Sequence, residues 1–220
     1  MLVAGRANPG ALETRLVPWC NSAMATTAPQ GAWPAKRIFR ALLLGGAGWL
    51  TLRLLARPVD GCLLDLVNLP FHEAGHVFLA PFGNILHVLG GTLGQLAVPG
   101  LLVWYFTARR SDPFASSLCL WWLGENLINV STYMADARAL ALPLVGGGEH
   151  DWTELFFRWR VLDEDSVVRI SSATRGAGDA VMLLGLAWGA LFVLPRAMRS
   201  DLVLRLAARA PRAVRLLSDG

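Results

Sequence analysis

Apolar blocks close to the length of a bilayer span, set apart by arginines, constrain this chain more than any other feature. They run over roughly residues 38–56, 61–83, 93–108, 114–137 and 180–198. A helix needs about 20 apolar residues to cross about 30 Å of hydrocarbon. Lipid cannot satisfy open backbone groups, so helices are the economical solution. The expected fold is an all-α polytopic membrane protein with four to five transmembrane helices. The composition agrees: 54% of residues are hydrophobic and 16% charged, against about a quarter charged in soluble domains. The net charge is +4, and all but one of the 20 basic residues are arginine. These arginines flank the apolar blocks and anchor helix ends at lipid headgroups. No nucleic-acid module is evident, and the bilayer is the first partner. Cys20, Cys62 and Cys119 are odd in number and far apart, so they form neither a disulfide framework nor a thiolate zinc site. They read as small apolar residues.

Three regions follow. Residues 1–37 are rich in Ala, Pro, Gly and Thr and are expected to form a disordered tail. Met24 opens "MATTAPQGAWPAKR", which resembles an ordinary start. Residues 38–198 form the membrane domain, with a polar loop over 138–179 in which Asp151 or Thr153 caps a short helix. Residues 199–220 form a basic amphipathic tail suited to an anionic membrane surface. Within the domain, "NILHVLGGTLGQ" (84–95) has Gly-Gly between short apolar runs, which predicts a re-entrant hairpin. Thr92 and Gln95 supply its polar groups. Its edge would accept an extended peptide by strand addition. The positive-inside rule puts Arg57, Arg109–Arg110 and Arg199–Arg215 in the cytoplasm and the 138–179 loop outside.

The second block contains "NLPFHEAGHVFLAPFG" (68–83). On a helix His72 and His76 stand one turn apart on one face, so both imidazoles reach one zinc ion, with Glu73 as general base. Zinc brings the pKa of its bound water toward about 7. Glu73 takes that proton and returns it to a leaving amine. Asp65 and Asn68 share the face if the helix continues past Pro70. Each charged group at bilayer centre costs at least about 2.5 kcal/mol on insertion scales, so a polar stripe implies a polar interior. The third ligand must come from elsewhere. Asn126, Asn129, Tyr133 and Asp136 are spaced 3, 4 and 3 along the fourth block. That stripe points Asp136 toward the histidine face. His150 and Asp151, in "GGGEHDW", are the rival third ligands, with His150 the leading alternative. His87 is expected to be structural or to contact substrate.

"HEAGH" within an apolar span resembles the membrane-embedded zinc metalloproteases of the site-2 protease type. Gly75 stands where that family often has glycine. The family's aspartate ligand follows an Asn-x-x-Pro…Leu-Asp-Gly motif, to which Asn129 and Asp136 are similar. Position 132 holds threonine in place of its proline, and Ala135 and Ala137 flank Asp136. The resemblance covers about residues 61–137. It implies zinc on His72, His76 and Asp136, Glu73 as base, and Asn129 polarising the scissile carbonyl or orienting Asp136. The substrate would be a membrane protein or peptide. The alternative is a non-catalytic integral membrane protein with a structural or sensory metal site, which a fourth protein ligand such as His150 would favour.

Overall fold

The computed structural model describes residues 34–56, 62–143 and 150–194. Among them every element is helical: α1 (Pro34–Ala56), α2 (Leu63–Leu79), a 3₁₀ turn (Ala80–Phe82), α3 (Asn84–Ala108), α4 (Pro113–Ala135), α5 (Asp151–Arg158) and α6 (Glu164–Val193). The chain divides into two compact units, Met1–Arg40 and Ala41–Gly220. The described part of the first is the opening of α1. The site lies wholly in the second.

Among the described residues three segments are long and apolar enough to cross a membrane: Ala35–Ala56, Asn84–Ala108 and Glu164–Val193. By length and composition the described residues supply three candidate spans, and the expected count of four to five is not reached among them. The second block is a helix of only 17 residues, about 25 Å long. The fourth, α4, has 23 residues but carries Ser116, Ser117, Glu125, Asn126 and Ser131 as buried side chains. Its polar groups turn inward onto neighbouring helices.

Other expectations change as well. Residues 84–95 are not a hairpin but the first half of the unbroken helix α3. The chain reverses just before it, at Gly83, whose φ of 102° suits glycine. Gly90 and Gly91 serve close packing. A Cβ at Gly75 would run into the Gly90 carbonyl oxygen, and one at Gly94 into that of Phe71. Small residues four apart let helix backbones touch in this way. The polar loop over 138–179 contains α5 and the start of α6, which begins 16 residues before the fifth apolar block. Asp163 caps α6 by accepting the Ser166 N–H at 2.9 Å. Those hydrogen bonds hold the Asp163 carboxyl below its ordinary range. Of the tail expected over 1–37, residues 1–33 lie outside the described residues, and α1 already begins at Pro34, a residue favoured at a first helical position. The 199–220 tail, Arg57 and Cys20 also lie outside them.

The main contacts are α4 with α6, α2 with α3 and α3 with α4. A Cβ at Gly124 would meet the Met182 backbone nitrogen, and one at Gly185 that of Trp121. Trp121, Ile128 and Met182 form the core there with Ala47 and Leu54 of α1. Arg175 donates to the Leu54 carbonyl oxygen at 2.8 Å, closing the C-terminal end of α1. α4 is thus wrapped by its neighbours and holds the polar face that meets α2.

Candidate metal centre

Helix α2 runs unbroken past Pro70, so Asp65, Asn68, His72 and His76 share one face and line one cavity of about 810 Å³. Glu73 lies on its wall. The two imidazoles stand 4.8 Å apart between ring centroids. The third group is Asp151, from the first turn of α5. Its Oδ2 lies 3.0 Å from His72 Nε2 and 3.3 Å from His76 Nε2. The three ligand atoms are all within 4.8 Å of one another.

The tertiary structure fixes Asp151 firmly. Trp152, Leu155 and Phe156 of α5 are buried against Val88, Val130, Met134 and Val167. The Asp151 N–H donates to Tyr133 Oη at 3.2 Å, Thr153 Oγ1 donates to the Ala137 carbonyl, and Asn84 Nδ2 donates to Glu154 at 3.0 Å. An acid in a helix's first turn also suits the helix dipole.

Asp136, expected as the third ligand, does not join the imidazoles. It sits at the C-cap of α4, 8% exposed. Its carboxylate accepts the N–H groups of Ala141 at 2.9 Å and Leu142 at 3.1 Å. Past the helix end, its side chain follows the turning backbone rather than the stripe above it. His150 does not join them either. Its Nδ1 accepts the Thr153 N–H at 3.2 Å as the cap of α5, and its Nε2 lies 3.6 Å from Asp136 Oδ2. Burial pushes the His150 imidazole below its usual range, against the pull of Asp136 and Asp151. Asn129 has both ends engaged: Nδ2 donates to Asp65 at 2.8 Å and Oδ1 accepts from Gln95 at 3.3 Å. One N–H of Nδ2 is thereby committed to Asp65, and its second N–H is the group Asn129 retains for a carbonyl. His87 lines the cavity and pairs with His76. Its carbonyl oxygen lies 2.8 Å from His76 Nδ1 and its own Nδ1 3.0 Å from the His76 carbonyl.

The donor set fits a cation on three grounds. First, His76 Nδ1 faces a carbonyl oxygen, which only accepts, so Nδ1 carries a proton and the neutral ring presents a lone pair at Nε2. Histidine ligands are oriented by such an outer partner. A bare Nε2 and a carboxylate oxygen 3.3 Å apart repel unless a positive charge lies between them. Second, ligands about 2.0–2.1 Å from a tetrahedral zinc stand roughly 3.3 Å from one another, close to the observed 3.0 and 3.3 Å. Third, a Cβ at Gly91 would run into His72 Nε2, so the absence of a side chain there leaves room where the ligand atoms converge.

Glu125 was missed by the stripe. It is 1% exposed and accepts from Asn68 Nδ2 at 3.1 Å and Cys62 Sγ at 3.5 Å. Cys62 is therefore more than an apolar filler. A lone glutamate inside an apolar block is itself a signal of a polar interior.

No protein-family model matches this chain, and no curated protein or solved structure does.

Proposed function

We propose that this chain is a zinc-dependent membrane-embedded endopeptidase, similar in chemistry to the site-2 proteases, with His72, His76 and Asp151 as ligands. The observation that carries the reading is the convergence of two imidazole Nε2 atoms and one carboxylate on a cavity whose wall also bears Glu73. A zinc ion held there would supply the Lewis acidity that makes water a nucleophile near neutral pH. The protein's own part is positional and basic. Asp151 and the two imidazoles hold their places through α5 and the partners of Nδ1. The Glu73 carboxylate takes a proton from the attacking water and passes it to the leaving amine.

Three protein donors converge among the described residues, not four, which supports an open catalytic centre over a closed structural one. The cavity is rimmed by exposed Leu66 and Val77. An apolar mouth favours a substrate that arrives from lipid, a membrane protein or peptide.

The test compares protein N-termini generated in detergent-solubilised membranes by the wild type and by Glu73→Gln, with zinc measured in both. The expected result is equal zinc and cleavage only by the wild type. Equal zinc with no Glu73-dependent cleavage would overturn the peptidase reading in favour of a non-catalytic metal protein.

A further inference from the structure

Both imidazoles need Nδ1 protonated to offer Nε2 to the centre, but they are held by different means. His76 is held by backbone, through the His87 carbonyl oxygen. His72 is held by side chains alone. Its Nδ1 lies 2.9 Å from Gln95 Oε1, Gln95 Nε2 donates to Asn129 Oδ1 at 3.3 Å, and Asn129 Nδ2 donates to Asp65 Oδ1 at 2.8 Å. Asp65 Oδ2 in turn accepts the Cys62 N–H at 2.6 Å.

From this series we infer that Asp65, Asn129 and Gln95 are positioning residues, a one-way hydrogen-bond relay that dictates the His72 tautomer. This inference rests on the metal-centre reading above. An ionised carboxylate only accepts, so the Asn129 amide must turn its nitrogen to Asp65 and its oxygen to Gln95. Gln95 must then donate to Asn129 and present its oxygen to His72. The far end of the relay can be satisfied only by an N–H on Nδ1. Direction enters at Asp65 and passes through α4 and α3 back to α2. A set of independently satisfied amides would place no such requirement on the imidazole.

Asn129 is the residue to change, because it does not touch His72. The probes are ¹⁵N shifts of histidine-labelled metal-free protein at pH 8 and zinc affinity by chelator competition. Wild type should show His72 and His76 both protonated at Nδ1. Asn129→Leu should abolish the fixed tautomer at His72 and leave His76 unchanged. It should also weaken zinc by about 10–100-fold, the usual loss for an outer-shell partner. Asp65→Asn should weaken zinc too, because an amide no longer sets the direction. Adding Gln95→Glu to it puts the carboxylate at the other end, restores an acceptor to His72, and should bring affinity back toward wild type.

A folded Asn129→Leu with unchanged His72 shifts and unchanged zinc affinity would overturn the relay. So would a double variant that binds no better than Asp65→Asn alone. If the wild type binds no zinc, the metal reading fails on its own, and the His72 shifts still decide the relay.

Discussion

Two groups of ligand-type side chains contribute to the walls of the same cavity, the second through Asp65 and Glu125, and their surroundings differ. His72, His76 and Asp151 bring their atoms within 4.8 Å of one another, and so do Cys62, Asp65 and Glu125. In the second group the acceptors meet donors. Asp65 takes the Cys62 N–H and the Asn129 amide, and Glu125 takes the Asn68 amide and the Cys62 thiol. In the first group both Nδ1 atoms point outward, to Gln95 and the His87 carbonyl, and both Nε2 atoms face the one Asp151 carboxylate. Proximity of donor atoms does not make a cation site. The carboxylate cluster reads instead as the anchor of a polar network joining α2 to α4.

The strongest way to break this comparison is to fill the first group's space. Gly91→Ala should abolish zinc binding, because its Cβ would run into His72 Nε2. Gly100→Ala, with nothing within 4 Å, should leave zinc content and fold alone. Equal zinc in both variants would contradict the position assigned to the ion.

A smaller effect is expected in the second group. Glu125→Leu should leave zinc content near wild type and lower stability by about 1–3 kcal/mol, since the Asn68 amide and Cys62 thiol lose a buried acceptor. Thermal unfolding in detergent, with metal analysis alongside, checks it. Loss of zinc without unfolding would make the two groups one site.

The smallest effect lies outside both. Asp163 has its carboxyl held low by Ser166. Its cap contribution is present above the unfolded aspartate pKa and is lost as pH falls through the lower folded value. Stability should therefore decline slightly more steeply with acid in the wild type than in Asp163→Asn, while zinc content at neutral pH is the same.

The histidine pair was legible because it follows helical spacing, and the α4 stripe pointed to the right face as far as Tyr133. Asp136 misled because a stripe holds only while the helix does. The helix ends at Ala135, and the next side chain binds the amides of the turn. The threonine at 132 and the alanines beside Asp136 were the available signs that the family pattern fails there. Asp151 lies 79 residues from His72, and α5 brings it in by burying Trp152, Leu155 and Phe156, a tertiary fact no local spacing encodes. Gly90–Gly91 was ambiguous in the same way. A glycine needed for a turn and one needed for contact look alike in sequence, and here the turn falls to Gly83 while the pair packs against α2.

The central claim is that Asp151 completes the centre and Asp136 does not. Zinc content of the detergent-purified protein decides it, with wild type beside Asp151→Ala and Asp136→Ala. The account predicts about one zinc per wild-type chain, the stoichiometry of a single site, lost in Asp151→Ala and kept in folded Asp136→Ala. A wild type without zinc, or zinc lost from folded Asp136→Ala and kept by Asp151→Ala, would contradict it.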